Sequence, residues 1–555
     1  MVPFNKWPAF IFLFFLTWIF TFPEITLSAE PKAIDPSYKL IRLVKDTPLP
    51  GCNGATIGPD GALYVVHLGT GHVSRIDLKT GKAGIFVPPY AGMSVTDDIS
   101  SDDQGNLYIT GTTSIVGEVY RIDKKGMKTV IGKGFLAPNG IQYNRRTKRL
   151  FMTECFWGNR VFELDPAGIN KPKLLVKENI IAVPEGFDFD PDTHDLIIPD
   201  MGTGRILRVN PDSGNIDTIA ETNMAPVALK IGPDKMAYIP MLGGTVFRIS
   251  LDGQKKENLA QLPPGLDNLA ITPEGRLYVT SYWNATIYEV KTDGTGKFDA
   301  LFSTGPNQIT GITFQNGKIL LSDSIMVRSL EKGQYVPTRI NTSAAAGIPM
   351  PLGLANGPGD QVFWPDFINN VVALGNPVNG EFKTVAGGLN RPIAVLMNPD
   401  QAKIMIAEYG AGQVTEVILS DGTKKVLSKG LDGPLSLAII SNMLYVSEGK
   451  LGRISKIDLS SGKTEVFISG VVGKVSALAG DGAGRLLALD SAGGRLFRID
   501  PKNQSISLIA ENLPVAYFLI GSYPALEFPH PMTVSPEGDI YLPTVDRGLI
   551  VLEKK

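Results

Sequence analysis

Short apolar runs alternate with polar residues along most of the chain, and no stretch carries a sustained helical period. Alternation with period two marks strands that bury one face. The runs recur as one phrase: an apolar strand, a Gly-containing turn, a second strand, a polar loop, then two more strands. The first hairpin reads ATIGPDGALYVV at 55–66, LAITPEGRLYVT at 269–280 and MTVSPEGDIYLP at 532–543. The third strand reads VSRIDLKTGK at 73–82, VYRIDKKGMK at 119–128, SKIDLSSGK at 455–463 and LFRIDPKNQS at 496–505. Turn pairs such as Asp60-Gly61 and Thr80-Gly81 separate the strands, their glycines supplying the positive φ that hairpins demand.

The residue just before each innermost strand is a register mark. The marks are Asn53, Asp97, Asn139, Glu185, Val227, Asp267, Thr310, Leu352, Ile393, Leu435, Val475 and His530. Their spacing is about 40 to 46 residues, except the last, which follows an insertion at 513–529. A four-stranded unit of ~40–50 residues repeated many times is the signature of a β-propeller, and such rings close with about 4–8 blades. About twelve four-stranded blades predict an all-β protein of two six-bladed β-propellers, residues 30–304 and 305–555. The last unit ends at Lys555 after three strands, while YKLIRLV at 38–44 is an orphan strand ahead of the first unit. That strand is expected to close the last blade, so the chain would start in the second ring, run through the first and return.

Composition agrees. A chain of 555 residues is too long for one core, and 60 Gly with 40 Pro suit many short strands joined by tight turns. Charged residues at 19% and a net charge of −2 argue against a nucleic-acid partner or an electrostatic membrane binder. Residues 1–29 differ from the rest: Lys6, an apolar run from Phe10 to Phe22, then the small Ser28 and Ala29. This predicts a secretory signal peptide cleaved after Ala29, and a periplasmic or extracellular mature chain with no membrane span. Cys52 and Cys155 fall two blades apart, too far to bridge, and are expected as free, buried thiols.

The marks lie where the central channel opens. In the first six units they are Asn, Asp, Asn, Glu, Val and Asp; in the last six they are Thr, Leu, Ile, Leu, Val and His. Carboxylates converging on a narrow axis repel one another. Three of them with amide oxygens suit a hard divalent cation such as Ca²⁺, which takes about 6–8 oxygen ligands. Each of Asn53-Gly54, Asn139-Gly140 and Glu185-Gly186, taken alone, reads equally well as a turn ahead of a strand.

A second mark ends each second strand. In the last six units it is always acidic: Asp323, Asp366, Glu408, Glu448, Asp490 and Asp546. A feature of every blade is architectural, and these acids are expected to hold loops to a neighbouring blade. In the first six units the position holds His67, Gly111, Glu154, Asp200, Met241 and Ser281. Departures from a structural default are functional candidates. Phe156, Trp157, Tyr282 and Trp283 cluster nearby as the wall of an apolar substrate pocket, with Asn53 and Glu154 as polar contacts.

SVTDDI at 94–99, APNGIQYN at 137–144, VPEGFDFD at 183–190 and LDNLAIT at 266–272 resemble the six-bladed, calcium-dependent lactonases of the gluconolactonase/regucalcin and paraoxonase type, with their strictosidine-synthase-like relatives. The resemblance covers about 50–304; the second half shares only the repeat. It implies a calcium held by Asp97, Asn139, Glu185 and Asp267, with Glu185, Asp267 or His67 activating water against a lactone or related ester. The first position is Asp where that family has Asn, and the third is Glu where it has Asp. His67 resembles one member of the paraoxonase histidine pair, but the other position is Asn53. His72, His194 and His530 have weaker claims, and DFDPD at 188–192 lacks the Gly and final Glu of an EF-hand loop. The competing readings are a non-catalytic binding scaffold of the NHL type, with a protein partner on the second ring, and a lyase resembling streptogramin B lyase.

Overall fold

A computed structural model of the protein describes residues 30–44, 51–67, 71–88, 93, 95–112, 116–303, 306, 309–323, 326–341, 352–367, 369–449, 451–470, 472–515, 518–519, 527–528, 530–544 and 548–555. Residues 1–29, where a signal peptide is expected, lie outside them.

Alternation becomes blade packing. In the strand Arg149–Glu154, Leu150 and Met152 point into one cluster with Val119 and Tyr108 of the preceding blade. Phe151, between them, points into another with Leu196 and Ile198 of the following blade. Both faces of a blade are therefore buried, each by a neighbour, because successive side chains of a strand face opposite ways. Among the described residues there are eleven antiparallel sheets of four strands, one of five, and a two-stranded ribbon, Phe518–Leu519 with Glu527–Phe528, inside the 513–529 insertion. Within ten of the sheets, strands follow chain order from the channel outward; in the other two the outermost strand comes from residues 32–44.

The twelve sheets form two six-bladed rings. In the first, the inner strand Leu266–Ile271 packs on the inner strand Cys52–Ile57. The seam is sealed by Ala270, Tyr278 and Ile287 against Cys52, Ala55 and Val65. In the second, Thr533–Val534 lies between Gly311–Gln315 and Val475–Gly480. No helix of the described residues is long and apolar enough to cross a membrane.

The strand Tyr38–Val44 pairs antiparallel with Leu549–Lys554, the last strand of the chain, as expected. Its apolar residues join two clusters: Tyr38 with Met532 and Leu552, and Val44 with Ile309 and Leu549. Lys32–Ala33 adds a fifth strand to the preceding blade, opposite Glu511 and Ala510, and Asp35 bonds Arg498 at 2.6 Å. Residues 32–44 thus belong by pairing to the second ring. They fall within the expected 30–304 ring by position but pair with the last two blades, at Ile506–Glu511 and Leu549–Lys554.

The acids ending the second strands hold the chain that enters their own blade, and for Glu154 this reaches the preceding blade. Glu154 accepts the Leu136 N–H at 2.7 Å, Asp200 the Val183 N–H at 2.9 Å, Glu408 the Asn390 N–H at 2.7 Å and Glu448 the Asp432 N–H at 2.6 Å. The Val183, Asn390 and Asp432 N–H groups lie on the loop entering the inner strand of the same sheet, whereas Leu136 ends the outer strand Lys128–Leu136 of the preceding blade, a tie to a neighbour as expected. Most of these acids also pair with an arginine at the start of the third strand: Arg160, Arg205, Arg328, Arg453 or Arg495. Asp546 lies outside the described residues. Cys52 and Cys155 are buried thiols, not joined in a disulfide.

Candidate metal centre

The mouth residues are aimed by local backbone geometry. Asn53, Asp97, Asn139 and Asp267 each sit in a β-bulge at the start of an inner strand, where the ladder slips between Cys52 and Ala55, Thr96 and Ile99, Pro138 and Ile141, and Leu266 and Leu269. A bulge re-aims the side chain it carries. Threonine hydroxyls then pin the bulges across blades. Thr280 donates to the Asn53 carbonyl at 2.7 Å, Thr110 to the Asn139 carbonyl at 2.5 Å and Thr153 to the Glu185 carbonyl at 3.4 Å. The glycines that follow the marks are not turn residues. Gly54 and Gly140 have no positive φ. A Cβ there would come within 2.5 Å of the Asp97 carbonyl oxygen and 2.6 Å of the Glu185 carbonyl oxygen. They are the price of letting neighbouring inner strands approach, and this removes the plain-turn reading.

One layer deeper, Asp98 and Asn268 reach across the axis and join at 2.9 Å, Nδ2 to Oδ1. Asp98 also accepts the N–H groups of Ile99 at 2.8 Å and Ile141 at 2.9 Å. Below them the Lys230 ammonium bonds the Gln142 side-chain oxygen at 2.9 Å and the Phe187 carbonyl at 3.1 Å, and its charge also acts on Asp98 and Asp188. A cavity of about 1060 Å³ opens at that far end, among the hairpin turns, and none of the five polar mouth residues lines it.

The structure brings Asp97, Asn139, Glu185 and Asp267 into one electrostatic environment. Burial pushes Asp97 well above the usual carboxylate range, and Asp267 and Asp98 push it further. Burial, then Asp97 and Asp267, raise Glu185, while a hydrogen bond with Asn139 pulls the other way. Asp267 is raised to about 7 by burial and by Asp98. Asp97 and Asp267 keep contact with solvent along the channel although protein atoms crowd them; Glu185, Asn139 and Asn53 are buried. Apart from the Asn139 amide, the principal groups acting on these acids are other acids. The buried Asn53 Oδ1 accepts no hydrogen bond.

This donor set is all oxygen, short of positive charge, and includes an orphaned amide oxygen, which fits a hard divalent cation such as Ca²⁺. Among the described residues, no group of three or more His, Cys, Asp or Glu side chains is arranged to hold a metal by itself. Any ligand set at this mouth would have to draw on the amides of Asn53 and Asn139 as well as on the carboxylates. Val227 shares the register and offers no donor.

Other expected site residues fall elsewhere. Glu154 is fully buried and bound by Arg160 and the Leu136 N–H, so it is a loop clamp and not a substrate contact. His67 is fully buried; its Nε2 bonds Ser74 Oγ at 2.8 Å and its ring stacks on His72 at 3.9 Å. These contacts draw it into its own blade, away from the mouth carboxylates. His194 occupies a hairpin turn with φ 65°. Phe156 and Trp157 are about half exposed with ring centroids 6.1 Å apart, and follow directly on Cys155. The Cys155 thiol is raised by burial, then by Glu185 and Asp97, which places this loop at the rim of the mouth. Tyr282 and Trp283 are half-buried; Trp283 lies over Gly265, two residues before Asp267, and its carbonyl accepts a hydrogen bond from Arg328 at 2.8 Å.

Three features escaped sequence reasoning: the Asp98–Asn268 crossing, the pinning threonines, and Cys155 beside the mouth. The threonines left a signal, recurring one residue before the second-strand mark in LYITG, LFMTE and LYVTS.

Fold and mouth together define a β-propeller protein whose first ring carries an acidic, all-oxygen channel entrance. No family model matches the chain. A gluconolactonase of Zymomonas mobilis is 24% identical over 170 residues, an alignment covering 25% of this chain and 47% of that enzyme. The chain thus spans about half the length of that curated relative. Among solved structures, a streptogramin B lyase aligns with 54% of this chain and 96% of its own at 17% identity and a TM-score of 0.37. A GH74 enzyme of Niastella koreensis aligns with 92% of this chain and 99% of its own at 12% identity and a TM-score of 0.43.

Proposed function

We propose that this chain is an exported, metal-dependent hydrolase of lactones or related esters, with Ca²⁺ or another divalent cation at the mouth of the first ring. The observation that carries the reading is the convergence of three carboxylates at one register of the first ring, where Asp267 acts on Asp97 and both act on Glu185, itself hydrogen-bonded to Asn139, without a basic partner among the principal groups acting on them. The partial similarity to a gluconolactonase supports the reaction class. Asp97, Asn139, Glu185 and Asp267 would hold the cation, with Asn53 Oδ1 in reach of the same mouth. When bound, such an ion supplies polarisation of a carbonyl and stabilisation of the oxyanion. Glu185 or Asp267 would take the proton from water. Phe156, Trp157, Tyr282 and Trp283 offer the non-reacting part of the substrate an apolar rim.

The test is a lactone panel followed by acid release, with calcium or a chelator present. Turnover that needs the cation and is lost in Asp97→Ala and Glu185→Ala is expected. Turnover that survives both substitutions sinks the site assignment. Calcium stabilisation without turnover on any lactone or ester would leave a cation-stabilised binding propeller.

A further inference from the structure

We infer that the central channel of the second ring is a binding pocket for a neutral, mainly aliphatic small molecule. A cavity of about 550 Å³ runs along its inner strands. Small-molecule pockets span about 300–1,000 Å³. No Asp, Glu, Lys, Arg or His is among the described residues that line it.

The room exists because one layer of the channel is built from small residues. The residue after each mark is Gly311, Gly353, Ala394, Ser436, Ser476 or Pro531. At the same level the first ring has Asp98 and Asn268, which reach across and fill the axis. The second ring has nothing long enough to do so.

One end is shut. The six marks Thr310, Leu352, Ile393, Leu435, Val475 and His530 are each between 0% and 4% exposed, and Leu352, Ile393 and Leu435 share one apolar cluster. The cavity opens at the other end, where Asn398, Pro399, Gln401 and Gly480 line it.

The polar groups of the wall are already engaged. Thr313 Oγ1 donates to Asn356 Oδ1 at 2.5 Å, and Asn356 Nδ2 donates to the Phe314 carbonyl at 2.9 Å. Ser436 Oγ accepts the Leu478 N–H at 3.0 Å, and Ser476 Oγ donates to the Leu489 carbonyl at 3.4 Å. A ligand deep in the pocket therefore meets hydrocarbon from residues such as Leu396 and Ile439. A charged ligand would lose its hydration with no counter-charge to meet it. A neutral aliphatic molecule avoids that penalty and removes apolar wall from water.

The experiment titrates the full-length protein with the uncharged dye N-phenylnaphthylamine, with decanol as competitor and anilinonaphthalene sulfonate as the charged control. One saturable site is expected, displaced by decanol, indifferent to calcium or chelator, and about tenfold weaker, ~1.4 kcal/mol, in Ala394→Phe and Gly480→Trp. Ala394→Phe fills the small layer. Gly480→Trp obstructs the open end, where a Cβ meets nothing closer than 3.9 Å, so it decides the matter if Ala394→Phe fails to fold. Absence of saturable binding overturns the inference. So does equal affinity in Gly480→Trp when its melting curve overlays the wild type, or tighter binding of the sulfonate than of the neutral dye.

Discussion

The two rings use the same device to different ends. At the mouth of each, a bulge at the start of the inner strand aims a residue, in Pro138–Asn144 as in Pro434–Ile440. In the first ring the residues aimed this way are Asn53, Asp97, Asn139 and Asp267; in the second they include Ile393, Leu435 and Val475. One layer down the contrast reverses in size: Asp98 and Asn268 plug the first channel, while small residues leave the second hollow. Blade architecture is thus independent of channel chemistry. The apolar faces between blades and the acid–arginine clamps carry the fold, which leaves the axial positions free to diverge.

The largest break would come from removing residues 30–44. The second ring would lose the strand paired with Leu549–Lys554, and its last blade would expose a bare edge. Soluble yield and the melting transition of the second ring should collapse, and limited proteolysis should leave the first ring as the surviving fragment. Cleavage across both rings alike would show that they do not fold separately.

Exchanging the mouth chemistries is the sharper test. Leu435→Asp puts a carboxylate at a site with 0% exposure, and should cost about 3–5 kcal/mol. Asp97→Leu should do the reverse in the metal-free protein and raise its melting temperature, because it relieves like-charge repulsion. A fall on Asp97→Leu would mean the acid is structural.

Calcium comes next. A ligand that binds only the folded chain at one hundred times its Kd adds about 2.7 kcal/mol. Melting temperature should rise with calcium in the wild type and not in Asn139→Ala, and no rise in either removes the metal centre.

The pH dependence has a definite sign. Asp97, Glu185 and Asp267 are raised in the folded chain, Asp267 to about 7. Between the ordinary carboxylate range and those raised values the folded state binds more protons than the unfolded one, so stability falls as pH rises. Chelator-treated protein should melt higher at about pH 5.5 than at about pH 8, and calcium should narrow the gap. The opposite slope would show that other groups dominate.

The smallest effect concerns the rim. Phe156→Ser and Trp157→Ser change residues 47% and 51% exposed, and should shift stability by no more than about 0.5 kcal/mol. If the rim holds substrate, KM rises while kcat stays; kcat falling alone would place them closer to the reacting atoms.

Much of this was legible in the chain. The repeat gave the strands, since period-two alternation admits few other structures, and the three-stranded last unit called for the strand at 38–44. The mouth was legible because Asn53, Asp97, Asn139, Glu185 and Asp267 share a register, and a ring brings residues of one register to one axis. Glu154 was misjudged: its register position in the first ring looked like a departure, yet it makes the same clamp as Glu448 in the second. His67 was misjudged because its partners Ser74 and His72 lie on the other side of a turn, where spacing does not show which way a ring points.

By itself the sequence determined the local periods: strand, turn, blade, and the identity of the residue offered at each turn of the ring. Those depend on contacts within a few tens of residues. Tertiary structure alone decided which offered residues meet. Asp98 and Asn268 are 170 positions apart, and Cys52 and Ser281 are 229 apart, yet each pair is in contact. Whether a channel is plugged or hollow depends on side chains from six blades meeting across an axis, and on the desolvation they share there, neither of which is a property of any one repeat.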